Sequence, residues 1–139
     1  MLALASLLAT IAVSAPWPNG GTIPKRYTCD GANAVPPITV AVKMHPRVVA
    51  IEAVDVDAPG GVFVHWLQVG RVPGRNTFGK LGYSGPCPPP GDSPHRYVFR
   101  VYLLSRLPAL RRGFTQAQFR AAIRGRVVAR GFVVGRYSR

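Results

Sequence analysis

The sequence has few acidic residues. Five Asp and Glu stand against 18 Lys and Arg, which gives a formal net charge of +13. No acidic residue follows Pro94, whereas eleven arginines do. A field of this sign attracts nucleic acid, anionic lipid headgroups or an acidic partner. Because the sequence has no nucleic-acid-binding motif, we expect a solvated basic surface rather than a nucleic-acid site, and an anionic membrane surface remains an open alternative.

Cysteine is also scarce. Cys29 and Cys87 are the only two in the chain. Two cysteines are too few for a zinc site by themselves, and the spacings of histidine and carboxylate match no compact metal motif. We therefore expect no metal and no cofactor. The pair allows either one disulfide or two separately buried thiols.

The apolar run at the N-terminus, residues 1–15, is too short to span a membrane comfortably. It ends in Val13-Ser14-Ala15, as a secretory signal does, but no Lys or Arg precedes it and Pro16 follows the cleavage point. An uncleaved anchor and a mis-assigned start are the alternatives. We interpret residues 1–15 as an apolar leader and residues 16–139 as one domain, and we favour an extracytoplasmic over a cytoplasmic location.

Glycine and proline are abundant, with 15 and 14 copies. That many turn residues suit short strands joined by loops rather than a helical bundle. One helix is predicted after Thr115, which forms a capping box with Gln118, and Gly125 ends it. Strands are predicted at 38–42, 47–57, 62–69, 96–105 and 126–137. These elements together predict a mostly antiparallel β domain with one or two short helices.

Aspartate, histidine and tyrosine recur near the ends of the predicted strands. Asp55 and Asp57 are two residues apart, so a strand would point both to one face, and His95 and Tyr97 share a face in the same way. Such carboxylates could handle protons, or they could cap the turn at Pro59. An imidazole beside an aspartate can hold an anion through donated hydrogen bonds, although a lone strand histidine such as His65 is more often a core residue.

The segment Gly85–Gly91 contains four prolines within residues 86–90. Proline fixes φ and removes a backbone donor, so the segment is stiff. It could be a rigid linker or a pocket wall. Because a linker inside one domain is not expected, we predict a wall.

Taken together, these motifs resemble the phosphatidylethanolamine-binding protein family, in its bacterial and archaeal Raf-kinase-inhibitor-like branch. The resemblance extends from Trp17 to Arg139, and the chain departs from the family pattern at Val56, where proline is usual. The motifs that carry it are Asp55-Val56-Asp57-Ala58-Pro59, His65-Trp66, Gly85-Pro86-Cys87-Pro88-Pro89 and His95-Arg96-Tyr97.

The resemblance implies two packed antiparallel sheets with a small pocket at one end. It also implies a non-enzymatic binding protein whose pocket takes a small anion or a phospholipid headgroup. Carried over residue by residue, the pocket would be lined by Asp55, His65, Pro89, His95 and Tyr97, with Asp57 close behind.

Two other functions remain open. By analogy with the family, the protein could inhibit a serine protease or a kinase through its surface loops. It could also be an enzyme that processes a phosphoester with His65, His95, Asp55 and Asp57 as acid–base groups, although the sequence shows no nucleophile–base motif or phosphate-binding loop.

Overall fold

The computed structural model describes residues 8–42 and 48–139. Each predicted strand is present, with ends shifted by one or two residues, and Arg47, the predicted start of one, lies outside the described residues. The described elements are β1 (Ala9–Thr10), β2 (Ala12–Ser14), β3 (Gly21–Thr22), a 3-10 turn (Lys25–Tyr27), β4 (Thr39–Ala41), β5 (Val48–Asp55), β6 (Phe63–Val69), β7 (Val72–Pro73), β8 (His95–Leu104), α1 (Gln116–Ile123) and β9 (Val127–Tyr137).

The strands form one large sheet and one small sheet. The large sheet has the order β1-β9-β8-β5-β6-β7, with β3 also paired to β9. Its central strands β9, β8, β5 and β6 are antiparallel, whereas β1 and β3 lie parallel to β9. The small sheet consists of β2 and β4. The prediction of a mostly β fold with two sheets is confirmed, and the parallel edge strands are the part that it did not include.

Successive residues of β8 point to opposite faces of the large sheet, and an apolar layer lies on each face. Phe99, Val101 and Leu103 point to the face that is covered by the β2–β4 sheet and the N-terminal loop. On the other face, α1 packs Phe119 and Ile123 onto the β5 and β6 part of the sheet. Because each face of a sheet needs its own cover, the single helix leaves the outer side of β8 and β9 only partly covered.

Helix α1 begins with the predicted capping box. The Thr115 hydroxyl accepts from the Gln118 N–H at 3.1 Å, and the Gln118 side chain accepts from the Thr115 N–H at 2.9 Å. These bonds satisfy backbone donors that the first turn leaves free. No helix within 8–42 and 48–139 has the length and hydropathy to cross a membrane.

The second half of the predicted leader belongs to the sheets. Strands β1 and β2 cover residues 9–14, and Ile11 between them is only 8% exposed. The Ile11 carbonyl lies so close to Gly131 that a Cβ there would come within 2.2 Å of the oxygen. These residues therefore pack as part of the folded domain. Cleavage of residues 1–15 stays a prediction, and residues 1–7 lie outside the described part of the chain.

Replacing Ile11 tests whether this segment stabilises the domain. We expect Ile11→Ala to lower the free energy of unfolding by about 2 kcal/mol, because it removes buried methyl groups and leaves a cavity. Thermal unfolding followed by circular dichroism measures the loss. Thr10→Ala, on an exposed neighbour, is the control and should stay within about 0.5 kcal/mol of the parent. Equal stability of both variants would show that the segment does not pack against the core.

Candidate functional site

A cavity of about 260 Å³ opens at the end of the large sheet, where β5 ends and β6 and β8 begin. Strand pairing brings its polar residues together, because Asp55 lies opposite Tyr97 on β8 and opposite Phe63 on β6. The cavity is lined by Asp55, Ala58, Pro59, Phe63, His65, Phe78, Cys87, Pro88, Pro89, His95 and Tyr97.

The His95 imidazole lies between two carboxylates. Its Nδ1 is 2.7 Å from Asp55 Oδ2, and its Nε2 is 3.0 Å from Asp92 Oδ2. A carboxylate can only accept, so both ring nitrogens donate and the ring is an imidazolium when both bonds form. Burial acts to lower the pKa of His95, but the hydrogen bonds and charges of the two aspartates outweigh it and raise the pKa above 6.5.

His65 reaches the cavity from a β-bulge. The register of β5 on β6 shifts between Ala53, which faces Trp66, and Val54, which faces Val64, so His65 has no partner in the ladder. A bulge of this kind re-aims a side chain. As a result, His65 contacts the ring of Tyr97 edge-on, with the ring centroids 5.2 Å apart.

His65 has a different charge state from His95. Its Nδ1 lies 2.7 Å from the Ser84 carbonyl oxygen, which can only accept, so Nδ1 carries the proton. Burial lowers the pKa of His65, and the Ser84 bond and the Asp55 charge offset only part of that effect. The neutral ring then leaves the lone pair on Nε2 free to accept a hydrogen bond from a ligand.

The Tyr97 hydroxyl is buried without a partner. Tyr97 is 1% exposed, and its Oη makes no hydrogen bond to any residue that the structure describes. Burial raises the pKa of Tyr97 far above its ordinary value, and the charge and proximity of the Asp55 carboxylate add to this, although the two groups do not meet hydrogen-bond geometry. The hydroxyl therefore stays protonated, and an unpaired buried donor costs free energy until a ligand accepts from it.

Aromatic rings form one side of the cavity mouth. Phe63 and Phe78 pack edge to face with centroids 4.7 Å apart, and both also contact the His65 ring. Phe78 is exposed, so an apolar surface continues from the polar end of the cavity to solvent. The sequence patterns did not single out either phenylalanine.

The proline-rich segment forms the opposite wall, as predicted. Pro88 and Pro89 line the cavity, and a disulfide joins Cys87 to Cys29 in the N-terminal loop. The Gly85 N–H donates to Asn33 Oδ1 at 2.7 Å, and a Cβ at Gly85 would come within 2.1 Å of a backbone oxygen. Glycine at this position therefore lets the two loops pack closely.

Asp57 differs from the expectation that it shares a face with Asp55. Strand β5 ends at Asp55, whose Oδ1 accepts from the Asp57 N–H at 2.8 Å, so the chain has already turned. The Asp57 carboxylate does not line the cavity and instead pairs with the Arg96 guanidinium at 2.8 Å. Hydrogen bonds from Arg96 lower the pKa of Asp57 to about 2. Asp57 thus anchors the turn beside the cavity.

Five of the six predicted residues line one cavity: Asp55, His65, Pro89, His95 and Tyr97. Sequence reasoning missed Asp92, although it lies three residues before His95 and the chain has only five acidic residues. It also missed Ser84, because the contact is made by its backbone carbonyl, which every residue type has. Within the described ranges, no group of three or more His, Cys, Asp or Glu side chains is arranged to hold a metal ion.

Fold and cavity together define a small β-sheet protein with a cavity at one end of its large sheet, where polar side chains lie behind an apolar mouth. Residues 13–138 match the sequence model of the family described as phosphatidylethanolamine-binding protein. The chain belongs to the phosphatidylethanolamine-binding protein family. The resemblance found from the motifs is thereby confirmed.

Relatives and solved structures agree with this assignment. A UPF0098 protein of Archaeoglobus fulgidus is 36% identical over 94% of this chain and 52% of its own length, so this chain spans about half of that relative. A UPF0098 protein of Pyrococcus abyssi is 33% identical, with 93% of this chain and 85% of the relative covered. Among solved structures, the homologue CT736 of Chlamydia trachomatis has a TM-score of 0.85 at 28% identity, covering 94% of this chain and 98% of its own. Escherichia coli YbcL, described as a member of the mammalian family, has a TM-score of 0.82 at 25% identity, covering 93% and 98%.

The two cavity histidines should titrate at different pH values. We expect the pKa of His95 to lie above 6.5 and the pKa of His65 to lie below 6.5, because two carboxylates surround His95 whereas His65 is buried. Because protonated His95 is favoured in the folded state, its contribution to stability is present below pH 6.5 and is lost as pH rises through its folded pKa. NMR shifts of the imidazole protons, followed against pH, measure the two pKa values. The variants His95→Gln and His65→Gln assign each signal to its residue. Titration of His65 above His95 would contradict the assigned contacts.

Proposed function

We propose that this protein is a non-enzymatic binding protein whose cavity holds a small anion or the phosphoryl headgroup of a phospholipid. The observation that supports it most is the buried Tyr97 hydroxyl, which lacks a partner among the described residues and belongs to a residue of the cavity lining. A phosphoryl oxygen that accepts from Tyr97 would satisfy this donor.

The hydrogen-bonding groups of the cavity suit a ligand that carries both an acceptor and a donor. The imidazolium of His95 supplies the positive charge, and a charge-assisted bond is stronger in a buried site than in water. The Nε2 of neutral His65 can only accept, so it matches a ligand N–H or O–H. Monoprotonated phosphate and phosphorylethanolamine both offer an acceptor and a donor.

The apolar mouth supports a headgroup over a free ion. Phe63, Phe78 and Pro88 surround the route from the polar end of the cavity to solvent. A free phosphate would leave these surfaces wet, whereas the apolar part of a lipid would cover them.

Chemistry on the ligand has less support. Cys87 is held in a disulfide, and the protonated ring of His95 has no lone pair with which to act as a nucleophile or base. A phosphomonoester that is turned over by the protein, with turnover lost in His95→Ala, would establish an enzyme instead.

Calorimetric titration of the full chain with phosphate and phosphorylethanolamine tests the proposal. We expect saturable binding, and Tyr97→Phe should weaken it about tenfold, because it removes one hydrogen bond to a charged group. Tyr102→Phe makes the same chemical change on the opposite face of β8 and should leave affinity unaltered. No binding of either compound at 10 mM, or unchanged affinity in Tyr97→Phe, would refute the proposed site.

Asp92 should compete with the ligand. Its carboxylate is 41% exposed and occupies His95 Nε2, the atom that an incoming anion would need. We expect Asp92→Asn to tighten phosphate binding by about threefold to tenfold at a pH where imidazole NMR shows that His95 of the variant is still protonated. Ser93→Ala, in the same loop, is the control. Weaker binding by Asp92→Asn would show that Asp92 contacts the ligand rather than competing with it.

A further inference from the structure

A second concave site lies on the opposite face of β8 from Tyr97. It is a groove of about 750 Å³ between α1 and the outer side of β8 and β9, and it continues past Arg100, Tyr102 and Arg130 toward Phe132. The residues that line its two parts are Leu8, Thr10, Arg100, Tyr102, Arg120, Ile123, Arg124, Gly125, Val127, Arg130, Gly131 and Phe132.

The floor of the groove alternates arginine with aromatic rings. In the register of β8 on β9, Arg100 lies opposite Phe132 and Tyr102 lies opposite Arg130. Each guanidinium therefore has a ring beside it along its own strand and another across the ladder. Phe132 is 59% exposed and, among the described strands, pairs only with β8, because β1 and β3 pair with β9 on either side of it.

The groove is strongly positive. Helix α1 and the turn after it add Arg120 and Arg124 to the two arginines of the floor. The acidic side chain at this place is Glu52, which is 1% exposed and accepts bonds from Arg100 and Arg120. Glu52 thus holds two guanidinium groups beneath the groove. Arg130 makes no side-chain hydrogen bond or ion pair with the described residues.

We propose that this groove binds single-stranded nucleic acid. Phosphates would pair with the guanidinium groups, and a base would stack on the exposed Phe132, which is how sequence-tolerant single-strand sites combine charge with an aromatic platform. The sequence has no motif for nucleic acid, and the expectation drawn from it was a solvated basic surface. The alternation across two strands becomes visible only when the register is known.

Other polyanions fit the groove less well. A membrane surface is planar and would meet the rim of a groove rather than its floor. An acidic peptide offers carboxylates but no regular planar rings for the exposed phenylalanine. A single strand is a flexible chain with both a phosphate and a ring in every unit, so it offers partners for the arginines and for the exposed phenylalanine alike.

Fluorescence anisotropy with a labelled 12-nucleotide oligothymidylate and the full chain tests this site. Binding should weaken with salt, with a slope of log K against log salt of about −2, as expected for three phosphate contacts. Phe132→Ala should weaken binding about tenfold with the same salt slope, and Phe132→Tyr should restore it. Arg130→Ala should weaken binding and reduce the slope by about 0.7.

The controls separate the groove from the overall charge and from the cavity. Arg71→Ala removes the same charge from an exposed turn between β6 and β7, and Tyr97→Phe alters the cavity alone; both should bind the oligonucleotide as the parent does. Equal weakening in Arg71→Ala and Arg130→Ala would show diffuse attraction and overturn the proposal. So would binding to phosphatidylglycerol vesicles without binding to the oligonucleotide, or affinity for duplex DNA equal to that for the single strand.

Discussion

The carboxylate of Asp55 holds the end of the sheet together. One oxygen accepts from His95 on β8, and the other accepts from the backbone of Asp57, where the chain leaves β5. A buried carboxylate is costly unless such donors surround it, and these two donors also position the cavity. The first fixes the ring of His95 and favours its charge, while the second sets the turn that lets Asp57 pair with Arg96.

One sheet supplies two chemically different surfaces because its residues alternate. Odd-numbered residues of β8, such as Tyr97, face the cavity and the covered core, whereas even-numbered residues, such as Arg100, face the groove beside α1. The two surfaces differ in solvent exposure because different elements cover them. The proline-rich wall and the disulfide line the cavity, where burial lowers the pKa of His65 while two carboxylates raise the pKa of His95. On the other face one short helix leaves arginine and phenylalanine in contact with water.

The periodicity of the sequence was enough to place the long strands and the capping box of α1, because alternation and cap chemistry are local. It was not enough for features that depend on register or on distant segments. The bulge that aims His65 into the cavity and the parallel edge strands follow from pairing between distant segments, and the bond from His95 to Asp92 depends on the shape of the loop between them. The expectation that Asp57 shares a face with Asp55 extended strand alternation past the residue where β5 ends, and the bond from the Asp57 N–H to Asp55 matches the alternative that the aspartates cap the turn.

A crystal structure of the protein with phosphorylethanolamine at pH 6 tests the central claim most directly, which is that the cavity is an anion site completed by a buried tyrosine. The account predicts a phosphoryl oxygen within about 3 Å of Tyr97 Oη, a second one near His95 Nε2, and the Asp92 carboxylate moved away from that nitrogen. A ligand bound elsewhere, or a cavity filled only by water with Asp92 still on His95, would contradict it.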